Sequence, residues 1–295
     1  MKLEFGWALS LAAITDGRGL FMFAANSLLF VPGSRPERFA KARSSGAGLV
    51  VIDLEDAVGP ADKDTARAAA LEQVGEAGDG FAIRINGVAT AAGIRDLAAL
   101  VESDVLPSIL MVPMVEAPVE LDIVAGALGE RCPEIIPLIE TPRGLRHALA
   151  IASHSHVCAL MFGGADFSGE LQVPVSWEPL LGARHQLVLA CAEARIPLID
   201  VPYIHLDDEG GLRRECESAR AIGITAKSAI HPLQVPVIEQ VFAPTAAQIA
   251  EAEEALRVYE ENGGKAVRHK GRMLEAPMIK TYRAVLARSK GQPNA

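Results

Sequence analysis

Eight short apolar runs punctuate this chain, at residues 27–31, 49–54, 81–85, 108–112, 135–139, 157–162, 196–201 and 223–230. Each has the length and the aliphatic content of a parallel strand buried on both faces. Between them lie segments rich in Ala, Leu, Glu and Arg at helical spacing, at 62–76, 90–102, 119–128, 145–152, 179–194 and 212–221. Strand alternating with helix eight times predicts an α/β fold, a (β/α)8 TIM barrel over residues 26–243. A doubly wound open sheet is the competing arrangement, but no Gly-x-Gly-x-x-Gly follows the first run.

The texture changes after Pro244. Thr245 is placed to cap a helix over 246–261, Gly263 and Gly264 break it, and 265–289 follows. Residues 244–295 therefore read as a C-terminal helical lid, long enough to fold over a barrel mouth, its own or a neighbour's. Residues 1–25 read as an N-terminal extension. They imitate a signal peptide, yet Thr15, Asp16, Gly17 and Arg18 cut the apolar stretch in two, and Met22 offers a later start. No span approaches the roughly 20 apolar residues of a membrane helix.

At 295 residues and 50% hydrophobic content, the chain can bury a barrel-sized core. A net charge of −9 argues against a nucleic-acid surface, while leaving room for a local basic pocket that holds phosphates. Cys132, Cys158, Cys191 and Cys216 form no Cys-x-x-Cys pair. They read as reduced core thiols of a cytoplasmic protein.

In a βα barrel the strand C-terminal ends share one mouth, where loops gather and helix N-termini add positive potential. Glu140 and Asp166, 26 positions apart, each follow such a strand. Two hard oxygen ligands with no nearby His or Cys suit Mg²⁺, which keeps several waters and needs only one or two protein carboxylates. The other strand ends are polar as well. They carry Asp53, Glu55 and Asp56 at the second, Arg84 and Asn86 at the third, Glu116 after the fourth, Asp200 at the seventh, and Lys227, Ser228 and His231 at the eighth. All are read as projecting into the same mouth. Lys227 admits a rival chemistry, a Schiff base with a ketone, although a salt-bridged strand lysine is the plainer reading and a metal makes an iminium unnecessary. His231, followed by Pro, reads as a turn former.

The runs Ser-Leu-Leu-Phe-Val-Pro-Gly (27–33), Asp-Leu-Glu-Asp-Ala-Val (53–58), Arg-Ile-Asn-Gly (84–87), Ile-Glu-Thr-Pro-Arg-Gly (139–144), Phe-Gly-Gly-Ala-Asp-Phe (162–167) and Lys-Ser-Ala-Ile-His-Pro (227–232) resemble the citrate lyase beta subunit family of the HpcH/HpaI aldolase group. The resemblance spans about residues 26–290. It implies a Mg²⁺-dependent barrel that breaks a carbon–carbon bond of a hydroxyacyl-CoA, as citryl-CoA, malyl-CoA and citramalyl-CoA lyases do. The family's metal ligands fall on Glu140 and Asp166, and its substrate-binding arginine on Arg84. A forked permanent cation suits a thioester oxygen that becomes an enolate, with a rim ion pair to Glu55 or Asp56 as the structural alternative. Glu140 and the neighbouring Asn86 are taken as substrate contacts too. Glu55 and Asp56 are read as orienting water around the metal, or as answering a helix dipole. Lys63, Arg67, Arg35 and Arg38 are candidates for CoA phosphates.

One departure stands out. The family carries an Asp in a Met-x-Asp-x-Pro segment near the C-terminus, delivered across a subunit interface as acid/base, whereas residues 272–277 read Arg-Met-Leu-Glu-Ala-Pro and offer Glu275. Its extra methylene lengthens the reach. The expected activity is retro-Claisen cleavage of a 3-hydroxyacyl-CoA to acetyl-CoA and a 2-oxo acid, in a homo-oligomer (trimer or hexamer) without nucleic-acid or membrane partners. The alternatives are a CoA-independent, metal-dependent pyruvate aldolase and a non-catalytic acyl-CoA-binding or scaffold subunit. Malyl-, citramalyl-, methylmalyl- and citryl-CoA differ by pocket contacts worth only about 1–3 kcal/mol, which motifs do not encode.

Overall fold

The computed structural model describes residues 23–77 and 80–290. Residues 1–22, on which the signal-peptide reading and the alternative start fall, lie outside them. Eight parallel strands close into a barrel in sequence order: β1 (Ser27–Pro32), β2 (Leu49–Asp53), β3 (Phe81–Arg84), β4 (Ile109–Val112), β5 (Glu134–Ile139), β6 (Leu160–Phe162), β7 (Leu198–Asp200) and β8 (Ala226–Ala229), with β8 pairing back onto β1. Every predicted run holds a strand. The sixth is shorter than its run because Val157 keeps only an isolated bridge to Ile135.

The barrel and its connections carry α1 (Phe39–Arg43), α2 (Lys63–Ala77), α3 (Ala91–Glu102), α4 (Pro118–Leu128), α5 (Pro142–Arg146), α6 (Ala148–Ala152), α7 (Gly164–Leu171), α8 (Trp177–Ala194), α9 (Glu209–Ala221) and α10 (Val235–Phe242). The helix expected over 145–152 is two short helices that meet at His147. Three further helices, α1, α7 and α10, had no counterpart in the hydrophobic pattern. All three are short and follow Gly- or Pro-containing segments.

Successive strand residues face opposite sides, so parity sorts the barrel. Leu28, Leu49, Val51, Ala82, Ile109, Met111, Ile136, Leu138, Met161, Ile199 and Ala226 form one buried cluster in the barrel interior. Their neighbours Leu29, Val50, Ile52, Ile83, Leu110, Ile135, Leu160 and Leu198 are buried just as fully beneath the helices. Burial on both faces is what turns the strands into unbroken apolar runs.

The chain divides into two compact units, Met1–Ile238 and Glu239–Ala295. Within the second, α11 (Ala246–Glu261) starts on a capping box in which the Thr245 hydroxyl accepts from the Gln248 N–H and the Gln248 side chain accepts from the Thr245 N–H. The segment 265–289 was expected to continue as helix. It instead folds as an antiparallel hairpin of β9 (Val267–His269) and β10 (Arg272–Leu274), then α12 (Ala276–Lys290). Lys270 and Gly271 form the two-residue turn with φ of 46° and 79°, the left-handed pair that matches strand twist in a tight hairpin. The α11 and α12 helices pair, with Tyr282 donating to Glu251 at 3.2 Å and Leu274 and Ile279 buried.

Candidate active site

Parity carries straight into the mouth. Asp53 continues the inward positions Leu49 and Val51, Arg84 continues Ala82, and Glu140 continues Ile136 and Leu138. Asp53 and Arg84 are register partners on adjacent strands. Asp53 grips Arg84 with both oxygens, accepting from Nε at 2.7 Å and from Nη2 at 2.7 Å. This bidentate pair fixes the plane of the guanidinium, and the Phe30 ring on β1 lies 5.2 Å from its central carbon. Only Nη1 is left toward the loop after β2, where Glu55 Oε2 lies at 2.8 Å and Asp56 Oδ2 at 3.5 Å. Burial works to lower the Arg84 guanidinium, but Asp53, Glu55 and Asp56 outweigh it and hold its pKa above the usual value. It is a permanent cation wrapped in carboxylates.

Glu140 follows β5 and is 3% exposed. The Met114 N–H donates to its Oε2 at 2.7 Å, from a left-handed backbone with φ of 55°. A bulky residue held in that region marks a loop shaped for a purpose. Across from it, a Cβ at Gly163 would fall within the Glu140 carboxyl group, so glycine there makes the space that the carboxylate occupies. Asp166 sits in the first turn of α7, exposed, where the helix N-terminus favours a negative group. The charge of Asp166 is felt at Glu140. Burial first, then Asp166 and Asp56, raise Glu140 to about 7 against the pull of Met114 and Arg84. Partial desolvation and Asp56 raise Asp166. Burial first, then Glu140 and its acidic neighbours, raise Glu55 to about 8 although Arg84 lowers it.

This crowding of carboxylates asks for a cation. Glu55 Oε2 is buried and makes no aligned hydrogen bond despite lying near Arg84, an orphan acceptor of the kind that a hydrated metal satisfies. Among the described residues no three His, Cys, Asp or Glu groups converge as a metal cage. A cation on Glu140 and Asp166 would therefore draw most of its coordination from water and ligand, which suits Mg²⁺.

Three residues expected to face ligand are engaged inside the protein. Lys63 donates to Leu54 O at 2.7 Å, Glu55 O at 2.6 Å and Asn86 Oδ1 at 2.6 Å, which uses all of its protons. Arg67 is tied to Asp96 and Asp64 at 2.7 Å each. Asn86 donates through Nδ2 to Asp96 at 2.6 Å and Leu54 O at 3.0 Å while accepting from Lys63. The expectations of a CoA phosphate contact at Lys63 and of a substrate contact at Asn86 are corrected accordingly, whereas Arg67 keeps a buried Nη2 without a hydrogen-bond partner. Arg35 and Arg38 remain exposed, with Glu37 at 3.7 Å from Arg35. Glu116 is engaged by Thr141 at 2.9 Å and Arg143 at 3.5 Å. His231 caps the turn Pro232–Gln234, accepting from the Leu233 N–H at 3.3 Å.

The reading of Asp200 and Lys227 as mouth residues is also corrected. They are register partners at outward parity. Lys227 donates to Asp200 at 2.8 Å and to Glu215 of α9 at 2.7 Å, and Asp200 accepts from Arg184 of α8 at 2.8 Å. This quartet, buried apart from the half-buried Glu215, lies between barrel wall and helices. Burial would lower the Lys227 ammonium, but Asp200 and Glu215 hold it raised. A protonated, saturated amine on the helix side of the wall is no Schiff-base nucleophile. Glu275 lies in the second unit, its carbonyl accepting from the Ile279 N–H at the start of α12.

Sequence reasoning missed two contributors. Asp53 was one acid among several until pairing with Arg84 singled it out, although strand parity was available to place it. The Met114 N–H left no signal, because a backbone donor has no letter in the sequence.

A sequence profile described as HpcH/HpaI aldolase/citrate lyase matches residues 26–232, and one described as a C-C bond lyase of the TIM-barrel fold matches residues 181–290. A mitochondrial citramalyl-CoA lyase of Homo sapiens is 31% identical over 279 residues, covering 86% of this chain and 82% of its own. A (3S)-malyl-CoA thioesterase of Cereibacter sphaeroides is 32% identical over 272 residues, covering 89% of this chain and 94% of its own. The crystal structure of CitE from Mycobacterium tuberculosis in complex with magnesium, acetoacetate and coenzyme A superposes with a TM-score of 0.77 at 29% identity, covering 90% of this chain and 98% of that one.

Proposed function

The chain belongs to the HpcH/HpaI aldolase/citrate lyase family, and from that premise we propose that it is a Mg²⁺-dependent carbon–carbon lyase that cleaves a 3-hydroxyacyl-CoA to acetyl-CoA and a 2-oxo acid. The observation that carries this reading is Arg84, locked in plane by Asp53 with Nη1 turned to the Glu55–Asp56 loop, near the buried Glu140 carboxylate. Glu140 and Asp166 would hold the Mg²⁺, which would supply Lewis acidity toward the hydroxyl and adjoining carboxylate of the substrate. Cleavage of the C2–C3 bond turns the C3 hydroxyl into a carbonyl and leaves the electron pair on the thioester side. Arg84 Nη1 faces that developing enolate oxygen, exchanging Glu55 for it. Glu275 is the proposed donor of the proton that C2 then takes; the C3 hydroxyl proton leaves to solvent, and Glu275 regains a proton from solvent before the next turnover. Glu55 and Asp56 are proposed to accept from water around the cation, and Arg35 to meet a CoA phosphate.

The test is a panel of malyl-, citramalyl- and citryl-CoA with Mg²⁺, assayed separately for acetyl-CoA with 2-oxo acid and for free CoA with hydroxy acid. Acetyl-CoA formation is expected. Free CoA alone would assign hydrolysis, and no product would leave a binding subunit. Glu275→Gln is expected to lower kcat by about 10²-fold or more with KM little changed, as loss of a general acid does. Equal kcat in that variant would remove Glu275 from the reaction. We further propose a homo-oligomer, trimer or hexamer, to be read by light scattering. A cytoplasmic setting accords with the four free cysteines.

Proton linkage gives an independent check on the metal. In the metal-free protein, Glu140 and Glu55 keep protons to about 7 and about 8, whereas an ordinary Glu releases them near 4.5. The folded state then holds more protons than the unfolded one across that window, so stability falls as pH rises from about 4.5 to about 8. A cation favours the ionised carboxylates. Mg²⁺ titrations by calorimetry are therefore expected to show proton release at pH 6 and tighter binding at pH 8.5. Equal affinity at the two values would count against these ligands. No helix among the described residues is long and apolar enough to cross a membrane.

A further inference from the structure

We propose that Lys63 is a positioning residue for the cleavage step, holding the Glu55–Asp56 loop in place around Arg84. The proposal rests on the reading that Arg84 and the Glu55–Asp56 loop face the reacting thioester. The ammonium of Lys63 has three donors, and three oxygens converge on them: Leu54 O at 2.7 Å, Glu55 O at 2.6 Å and Asn86 Oδ1 at 2.6 Å. Charge-assisted bonds of this length to successive carbonyls pin a peptide where it leaves the strand. The same loop is held from its amide side by Asp53, which accepts from the Glu55 N–H at 2.9 Å and the Ala57 N–H at 3.1 Å. Asp53 is also the carboxylate that grips Arg84. Lys63 and Asp53 thus hold opposite sides of one short loop, and any shift of that loop is passed to the guanidinium plane.

The far end of the clamp is anchored as firmly. Asn86 can accept from Lys63 only with its Nδ2 turned to Asp96 and Leu54 O, and Asp96 takes that donor at 2.6 Å together with the Asn86 N–H at 2.8 Å. The second Asp96 oxygen accepts from Arg67 at 2.7 Å. Helices α2 and α3, the β2 loop and the end of β3 are joined by this chain of polar contacts. Its members are half-buried or buried, so solvent competes poorly for the bonds. The saturated Lys63 has no proton to spare for a phosphate.

Two roles for Lys63 predict different kinetics. Turnover of the preferred CoA thioester and of the matching pantetheine thioester, which lacks the nucleotide phosphates, should be compared in Lys63→Met. The positioning role predicts that kcat falls by the same factor, about 10- to 100-fold, on both substrates. Lys63→Arg should fail to restore it, because a planar fork cannot replace a point donor to three converging oxygens. A rise in KM confined to the CoA thioester, or rescue by arginine, would make Lys63 a phosphate ligand and overturn the proposal. Unchanged kcat in Lys63→Met would overturn it as well. Hydrogen exchange supplies a readout independent of substrate: amides 54–58 should lose protection while β2 and β3 keep theirs. If no thioester is turned over by the unaltered protein, the reading of the function fails, and the exchange result still decides the loop clamp. Should Lys63→Met not fold, Lys63→Gln, which keeps one donor pair, carries both measurements.

Discussion

Glu140→Gln is expected to lower turnover on the preferred hydroxyacyl-CoA by about 10³-fold or more, the equivalent of the several kcal/mol that a bound cation contributes at a reacting oxygen. The substitution is nearly isosteric. Its amide oxygen can still accept from the Met114 N–H, and it fits the space opened by Gly163. What it removes is the charge that a hard cation needs. Mg²⁺ affinity should fall in parallel while the circular dichroism of the barrel is retained. Gly163→Ala makes the complementary test, because a Cβ there displaces the Glu140 carboxyl without altering its charge, and it is expected to impair turnover in the same way. Glu140→Gln protein that keeps full turnover in excess chelator would take the metal away from this residue.

Asp200→Ala is expected to produce the largest loss of stability. Removing it leaves the Lys227 ammonium, 0% exposed, and the Arg184 guanidinium, 1% exposed, with Glu215 alone for compensation. Breaking a buried pair from one side costs about 3–5 kcal/mol, which lowers the melting temperature by on the order of 10 °C in a chain of this size. The quartet lies between barrel wall and helices, so kcat per folded molecule at 25 °C should change little. A variant with unaltered melting and strongly reduced kcat would return Asp200 to the chemistry. The same geometry predicts that borohydride with a 2-oxo acid traps no adduct on Lys227.

The barrel was legible because its strands are buried on both faces, and such strands read as apolar runs whatever surrounds them. The C-terminal hairpin was not legible. Val267, Arg268 and His269 are a weak strand signal, and the Lys270–Gly271 turn declares itself only through its backbone angles. At the mouth, Glu140 and Arg84 were legible from residue type and strand-end position. Asp200 and Lys227 were misplaced by the same rule, since a strand end alone does not say which face a residue takes. Counting parity from the inward Ile199 and Ala226 puts both on the helix side.

The sequence by itself determined the order of elements, the closure of eight strands and the supply of hard oxygen ligands, because hydrophobic periodicity and residue chemistry are local properties. Only the tertiary structure decided which charges meet. Lys63, Arg67 and Asn86 looked like free binding groups, and the fold engages them with Leu54, Glu55 and Asp96, residues up to 32 positions away in sequence. Desolvation is the reason: a polar group carried into a half-buried place must find a partner there, and which partner is within reach depends on how strands and helices pack.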